Sequence, residues 1–585
     1  MSIPSYIDKM KKIHKMILKY IKEGSETNLQ SLSNEIENEK IINDKNEFKS
    51  FLHLICKISN NHYKSQSFHA KIEQILSFYR NQILNFFTNI EIFNIFKNNK
   101  RILLFLFDEK IIIFDQSIFQ KVSNKKYAKF NYCQYFMPEI NAFTKNNKDT
   151  SDETNLEEFK EKRKIGENEL YICELIRNDS VEDFIAFINR NNISLHTKIK
   201  TSIYETNPFL IKNIEQSLIE YAAFFGSIQI FQYLLMNNIN LTPSLWRYVI
   251  HGQNADLVHL LEDNHIECDI EKNIIESIKC HHNQFANYFM NSSQNNIENY
   301  ISAVLKYYNF EYLENEFINE IYFFDFCKND YLLFIPKLLP KVLINEVVNT
   351  KKEHKKIKIE IWSDELTSYE IITTIKIKKR TALHIAIEKE NIEIVKILLT
   401  RKDIDINFYW KSKIESYLID DKKTALHLAV EKSNVEIVKL LLLYQNIDVN
   451  CLTLAFKGPD LIEKTALQIA VENENAEIVK LLLSKPNIDV NKYMICNTLL
   501  RSCHRKEMTA LCIAVEKDNI EITYLLCLHP YTNINIPFIQ SCDSGEQCIP
   551  PRRILLEKKT PFQIATEHNN QTICQIILMK HLLPN

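Results

Sequence analysis

Two histidines hold the same place in two nearly identical stretches, Thr381-Ala382-Leu383-His384 and Thr424-Ala425-Leu426-His427. An imidazole three residues from a hydroxyl is one way to set a general base beside a nucleophile. Elsewhere the same place holds Gln468, Cys512 and Gln563. A general base does not exchange with glutamine, so the position reads as structural. Cys280-His281-His282 places three metal-ligand types in a row. It has no second half of the Cys-x-x-Cys kind to complete a tetrahedral set. Cys542 and Cys548, with Cys496, Cys503 and His504 one insertion away, are the best metal or disulfide candidate, at irregular spacing. The run KKEHKKIK (351–358) could touch phosphate or acidic lipid, but a solvated hairpin edge suits a chain of formal net charge -2 better. These residues lead to no catalytic assignment, no metal and no cofactor.

The glycine count excludes further chemistry. Six glycines occur, at 24, 166, 226, 252, 458 and 545, and none are close enough to build a phosphate loop or a dinucleotide fingerprint. A Gly-x-Ser-x-Gly elbow is absent too. The near-neutral balance gives no footprint for nucleic acid. The most apolar run, ILLFLF (102–107), is cut by Asp108, Glu109 and Lys110, far short of the roughly 20 apolar residues a membrane span needs. The start of the chain, MSIPSYIDKMKKIHK, is charged where a signal peptide is apolar. Ser2 argues against myristoylation, and HLLPN carries no prenylation box. With 14 scattered cysteines, reduced thiols and a cytoplasmic protein are expected.

The elements that carry these residues repeat. TALHIAIEKENIEIVKILL, TALHLAVEKSNVEIVKLLL, TALQIAVENENAEIVKLLL, TALCIAVEKDNIEITYLL and TPFQIATEHNNQTICQIIL begin at 381, 424, 465, 509 and 560. Such self-similarity signals a solenoid, a propeller or an array. Within a copy the apolar spacing is helical. Leu426, Ala429 and Val430 form one stripe and Val435, Val438 and Leu441 another, separated by Lys432-Ser433-Asn434. Each unit is therefore two short helices, with Thr424 placed to cap the first. One pair cannot cover its own apolar face. Each buried Leu, Ile or Val is worth about 1.5–3 kcal/mol, and a neighbouring copy must supply the cover.

The pattern Thr-Ala/Pro-Leu-His/Gln-x-Ala, then Glu-Ile-Val-Lys-Leu-Leu-Leu, then Ile-Asp-Val-Asn resembles the ankyrin repeat over about 380–580. The resemblance implies an all-α solenoid of stacked helix-turn-helix units joined by outward β-hairpins. It implies no activity. It places protein binding on the first-helix face and the hairpin tips, and gives the Thr-x-x-His histidine a bonding role within the turn. Two departures stand out. Family repeats are shorter, and the place of the family's turn glycine holds Glu390, Ser433, Glu474 and Asp518, each followed by Asn. Asn tolerates the left-handed conformation, so the turn is expected to survive, at the same place or shifted by one residue.

The extra length falls in 408–423, 451–464, 492–508 and 536–559. Before the first copy, KIKIEIW (357–363) and IITTIKIK (371–378) alternate around a polar turn, as a β-hairpin does. Extended hairpin fingers along one edge are expected. They differ from one another while the helices do not, which is how scaffolds separate stability from specificity. The candidate partner-binding residues are the finger aromatics and arginines, types enriched at hot spots. They are Tyr409, Trp410, Tyr417, Phe456, Tyr493, Arg501, Arg552 and Arg553. For the aromatics, packing of finger against finger is the alternative role.

Upstream the rhythm weakens. SLIEYAAFFGSIQIFQYLL (217–235) and SLWRYVIHGQNADLVHLL (244–261) keep it, and 166–350 reads as degenerate ankyrin-like helix pairs. Residues 1–165 read as a helical region, with 101–122 open to helix or two short strands and 147–163 as the linker candidate. This region resembles the helical part that precedes ankyrin arrays in some protist proteins. The array proper is placed at 351–585. The function expected is a non-enzymatic scaffold that binds a protein partner. The alternative is an adaptor recruiting an enzyme, such as a ubiquitin ligase, through the N-terminal region. An enzyme hidden in 1–165 is the third reading.

Overall fold

The computed structural model describes residues 3–62, 66–123, 132–144, 153–213, 215–346, 348–363, 366–414, 421–457, 460–498, 504–543 and 553–582. Two compact units divide between Ile318 and Asn319. The first unit holds the N-terminal helices together with the first helix pairs, and the second runs from Asn319 through the array.

The first unit opens with the helix Ile3–Glu23, whose Tyr6, Met10, Ile13, Ile17 and Tyr20 form one buried stripe. Asp44 caps the buried helix Lys45–Asn61 by accepting from the Asn46 and Glu47 amides at 2.8 and 3.0 Å. The ambiguous apolar run is the helix Lys100–Asp108. The linker expected at 147–163 is corrected over its described part. Glu153–Ile165 is a helix, with Glu157–Lys160 and Glu158–Lys162 pairs on its exposed face. Its Arg163 is buried on Glu139 and the Tyr135 carbonyl. Helix pairs then follow, Tyr171–Arg177 with Val181–Arg190 and Leu218–Phe225 with Ile228–Met236. The next two are Leu245–Gly252 with Ala255–Asp263 and Ile270–Cys280 with Asn283–Ser293. Their first helices stack in chain order, and left-handed residues close their turns at Gly226, Gln253 and His281.

The second unit is the array. Its first helices are Ala382–Glu388, Ala425–Glu431, Ala466–Glu472, Ala510–Glu516 and Pro561–Glu567. Its second helices are Ile392–Leu398, Val435–Leu442, Ala476–Leu483, Ile520–Leu528 and Gln571–Leu582. The small residues Ala386, Ala429, Ala470 and Ala514 are fully buried where first helices stack. The turn is not shifted. The left-handed residues are Glu390, Ser433, Glu474 and Asp518 themselves, with φ of 52–58°. The Asn that follows does something else. Asn391, Asn434, Asn475 and Asn519 cap the second helix, each side chain accepting an amide three residues on at 3.0–3.1 Å.

The fingers are β1 (Val348–Ser363), β2 (Leu366–Arg380), β3 (Trp410–Ile414), β4 (Asp421–Lys423) and β5 (Ala455–Lys457). Then come β6 (Asp460–Glu463), β7 (Met494–Thr498), β8 (His504–Met508), β9 (Phe538–Asp543) and β10 (Arg553–Lys559). They do not stand apart. β1 to β4 form one antiparallel sheet in chain order, and β5 to β10 form another. An antiparallel bridge between Lys422 and Leu454 joins the two, with N–H···O distances of 2.7 and 2.9 Å. Ten strands thus run as one hydrogen-bonded flank along the helices.

Candidate protein-interaction surface

The Thr-x-x-His place shows what the helix starts are for. The Thr424 amide donates to His427 Nδ1 at 3.2 Å, and His427 Nε2 donates to the Cys451 carbonyl at 2.9 Å. Gln468 makes both bonds with different atoms. Its Oε1 accepts the Thr465 amide at 2.8 Å, and its Nε2 donates to the Lys492 carbonyl at 2.6 Å. Cys512 Sγ points to the Ile536 carbonyl at 3.6 Å. Imidazole, amide and thiol all tie the helix cap to the base of the outgoing finger. Burial pushes His427 down to about 4, against the pull of its bond to Cys451, and His384 likewise to about 4. These are neutral structural groups.

Fingers are fastened to helices at a second point. Arg380–Glu388, Lys423–Glu431, Lys464–Glu472 and Lys559–Glu567 recur as ion pairs from a finger base to the end of the first helix. Repeats are fastened to repeats by an amide ladder. Asn407 donates to the Asn446 carbonyl at 2.7 Å and accepts from the Asp448 amide at 2.9 Å. Asn450 does the same with Asn487 and Asp489, and Asn491 with Tyr531 and Asn533. Asn345 makes the matching bonds to Asp403 and Asp405, both at 2.8 Å. So the degenerate stretch 319–346 is a working unit of the array. The signal was present as Ile344-Asn345, a remnant of Ile-Asp-Val-Asn.

The expected contact residues divide. Trp410 is 9% exposed, with Arg380 and Lys423 over its ring at 5.9 and 5.8 Å. It packs the finger base, the alternative its type allowed. Tyr409 and Tyr493 are half-buried. The Tyr493 hydroxyl donates to the Pro537 carbonyl at 3.4 Å, and burial raises the pKa of both phenols. Phe456 lies in β5 and Arg553 opens β10, but their side chains lie outside the described residues, as do Tyr417, Arg501 and Arg552.

The metal candidates also divide. His504 and Cys542 are cross-strand partners on β8 and β9, while Cys496 faces Ile462 and Lys506. Cys503 and Cys548 are outside the described residues. For Cys280 the fold does supply a second half, which no local spacing announces. His251, Glu276 and Cys280 bring ligand atoms within 4.8 Å of one another. His251 Nε2 lies 2.8 Å from Glu276 Oε1. Cys280 Sγ is 3.5 and 3.6 Å from the two nitrogens of that ring, so it sits over the ring face, away from the in-plane lone pair. Burial would raise the Glu276 carboxyl, but His251 and Lys279 outweigh it and bring it down to about 2. The carboxylate is already satisfied by a protein cation, and this is a closed polar network. His281 Nδ1 meets His14 Nε2 at 2.9 Å, and the His282 Nδ1 proton goes to the Ile250 carbonyl at 2.7 Å.

Within 1–165 a cleft of about 260 Å³ is lined by His69, Arg101, Lys164 and Ile165. Arg101 is ion-paired to Glu73 at 2.9 Å, and burial pushes His69 down to about 3. Among the described residues no hydroxyl or thiol lines it. No helix among the described residues is long and apolar enough to cross a membrane.

Comparison with known proteins agrees with this architecture. Residues 378–409 match the family model described as ankyrin repeat. Residues 408–494 and 449–538 match the model described as ankyrin repeats in three copies. Among solved structures, the ankyrin repeat domain of Bcl-3, titled a unique member of the IkappaB protein family, is similar at 16% identity. That match covers 44% of this chain and 85% of that one, with a TM-score of 0.28. No curated protein matches the chain. Ankyrin repeats generally mediate protein–protein interaction and are typically non-enzymatic. The chain carries ankyrin repeats, stacked as a helical solenoid with β-hairpin fingers.

Proposed function

We propose that the chain is a cytoplasmic, non-enzymatic scaffold that binds a protein partner through its array, on first-helix faces and the finger flank together. The observation that carries this reading is the interchange at 427, 468 and 512, where imidazole, amide and thiol each reach a carbonyl of the outgoing finger. Chemistry varies there while the tie from helix start to finger base is kept, as expected of repeats built to hold a surface in place. The flank adds the variable part. Its strands share hydrogen bonds, so residues from different repeats keep a fixed spacing, and binding them costs little ordering entropy. Of the expected contact aromatics whose side chains are described, Tyr409 and Tyr493 keep part of their surface open, while Trp410 is buried.

The test is affinity capture with the intact chain and with Tyr409→Ala/Tyr493→Ala. The expected result is a partner held by the intact chain and lost or much weakened with the variant. Equal recovery of every partner by both would take recognition off these two residues. A captured chain that instead gains a catalytic readout from this protein alone would end the non-enzymatic reading.

A further inference from the structure

Four lysines meet in the first unit. Lys57 lies in the last part of the helix Lys45–Asn61, Lys212 ends the short helix Pro208–Lys212, Lys279 lies in Ile270–Cys280 and Lys306 in Ile301–Tyr307. These elements pack directly. Lys45–Asn61 lies against both Pro208–Lys212 and Ile270–Cys280, and Ile270–Cys280 lies against Ile301–Tyr307. Aromatic rings hold the ammonium groups near the junctions. Lys57 Nζ is 6.0 Å from the centre of the Tyr308 ring, and Lys306 Nζ is 4.6 Å from that of Tyr307. Lys279 Nζ is 5.4 Å from that of Phe209, on the same short helix as Lys212. Lys57 and Lys279 are half-buried while Lys212 and Lys306 are exposed, so the group is both fixed and open to solvent.

The counter-charge does not match. The carboxylate beside them is Glu276, and it is taken up by Lys279 and by His251 at 2.8 Å. Among the described residues Lys57 and Lys212 have no ion pair and donate no hydrogen bond from their ammonium groups. Burial lowers the Lys57 ammonium, and Lys306 lowers it further. Lys212 is lowered by partial desolvation and then by Lys279, Lys306 and Lys57. At the last turns of their helices Lys212, Lys279 and Lys306 each complement a helix dipole. That accounts for each singly and not for their meeting. We infer that Lys57, Lys212, Lys279 and Lys306 form a binding site for a compact polyanion, a small molecule or headgroup that bears several phosphates. Its oxygens would supply the counter-charge that the fold withholds. The chemistry selects phosphate, because the four cations are all lysines, point charges without the planar fork that suits a carboxylate. One phosphate does not match four ammonium groups on four helices, so several on one frame are required. The site lies in the first unit and stands apart from capture of a partner by the array.

Two probes test it on the full chain. One is inositol hexakisphosphate, titrated by calorimetry. The other is a phosphatidylcholine vesicle with about 5% phosphatidylinositol bisphosphate, read by co-sedimentation against phosphatidylcholine alone. The expected result is saturable binding of at least one probe, with a raised thermal midpoint in inositol hexakisphosphate if that is the one bound. Binding of the soluble compound alone makes the ligand a free polyphosphate, and binding of the charged vesicle makes it a headgroup. Lys57→Gln/Lys212→Gln should weaken the bound probe by about tenfold or more. Lys19→Gln/Lys22→Gln removes the same charge from exposed positions of Ile3–Glu23 and should stay within about twofold. Lys212→Gln alone, at an exposed site, should weaken binding about threefold with an unchanged midpoint, and it carries the test if the double variant melts early. Equal loss in the two double variants would reduce the effect to net charge and overturn the site. Absence of saturable binding to both probes would overturn it as well.

Discussion

Thr523 is a valine position occupied by a threonine. Val395, Val438 and Val479 hold the same place in three of the other second helices, all fully buried. Thr523 is fully buried too, and its hydroxyl has no hydrogen-bond partner. An unsatisfied buried hydroxyl costs about 1–3 kcal/mol, so Thr523→Val should stabilise the array by about 1–2 kcal/mol in urea denaturation. His427 makes a pH argument at the same scale. Its folded pKa of about 4 lies below the ordinary value of 6.5. Between those values the unfolded chain binds the proton and the folded chain does not, so stability is full above about pH 6.5 and falls as pH drops toward 4. The loss from this group is on the order of 3 kcal/mol below pH 4. Gln468 makes the same bonds without titrating. His427→Gln should therefore keep the neutral-pH midpoint and flatten the acid limb of a thermal-midpoint profile. An unchanged acid slope would move the sensitivity to other groups.

At the scale of the element, the turns are the instructive case. The helices were legible because apolar spacing and the Thr and Asn caps are local signals. The sequence leaves open which of the two turn residues is left-handed, because Asn tolerates that conformation. The chain instead gives Asn to the cap, where its oxygen satisfies an amide, and leaves Ser433 or Glu474 to carry the strain. A left-handed non-glycine residue costs about 1–2 kcal/mol, and glycine returns about 0.4–1 of that as unfolded-chain entropy. Ser433→Gly should gain about 0.5–1 kcal/mol, measured as a shift in denaturation midpoint. The hairpins were legible by alternation, but their pairing with each other was not. Lys422 and Leu454 lie in different insertions, and no periodicity within either reports the bridge. For the same reason Trp410 could be named from its type, while its burial under Arg380 and Lys423 depends on strands brought together by the stack.

At the scale of the molecule, the ladder of Asn345, Asn407, Asn450 and Asn491 links each unit of the array to the next. Stability of such an array is a sum of repeat terms and nearest-neighbour terms. Asn450→Ala removes two hydrogen bonds from one junction, worth about 1–2 kcal/mol together at exposed sites. The equilibrium transition of the array should move down by that amount and broaden, as the copies on either side lose their coupling. A parallel shift with an unchanged slope would mean that apolar stacking alone couples them. Long-range assembly is also where local reading stopped upstream. His14 with His281, and His251 with Glu276 and Cys280, meet across elements far apart in the chain, and only the packing of those elements reveals them.

The bridge at Lys422 and Leu454 has a geometric corollary. Neighbouring strands sit about 4.8 Å apart, so a hairpin advances the flank by about 9.6 Å, while packed helices lie about 8–10 Å apart. The two lattices are commensurate, one hairpin to one helix pair. A solenoid of helices alone can flex like a spring, but one geared to a sheet of matching pitch cannot lengthen on that side without unzipping strands. Growth or loss of the array is then quantised in whole repeats, and each finger keeps its distance from the next as a tooth keeps its place on a rack.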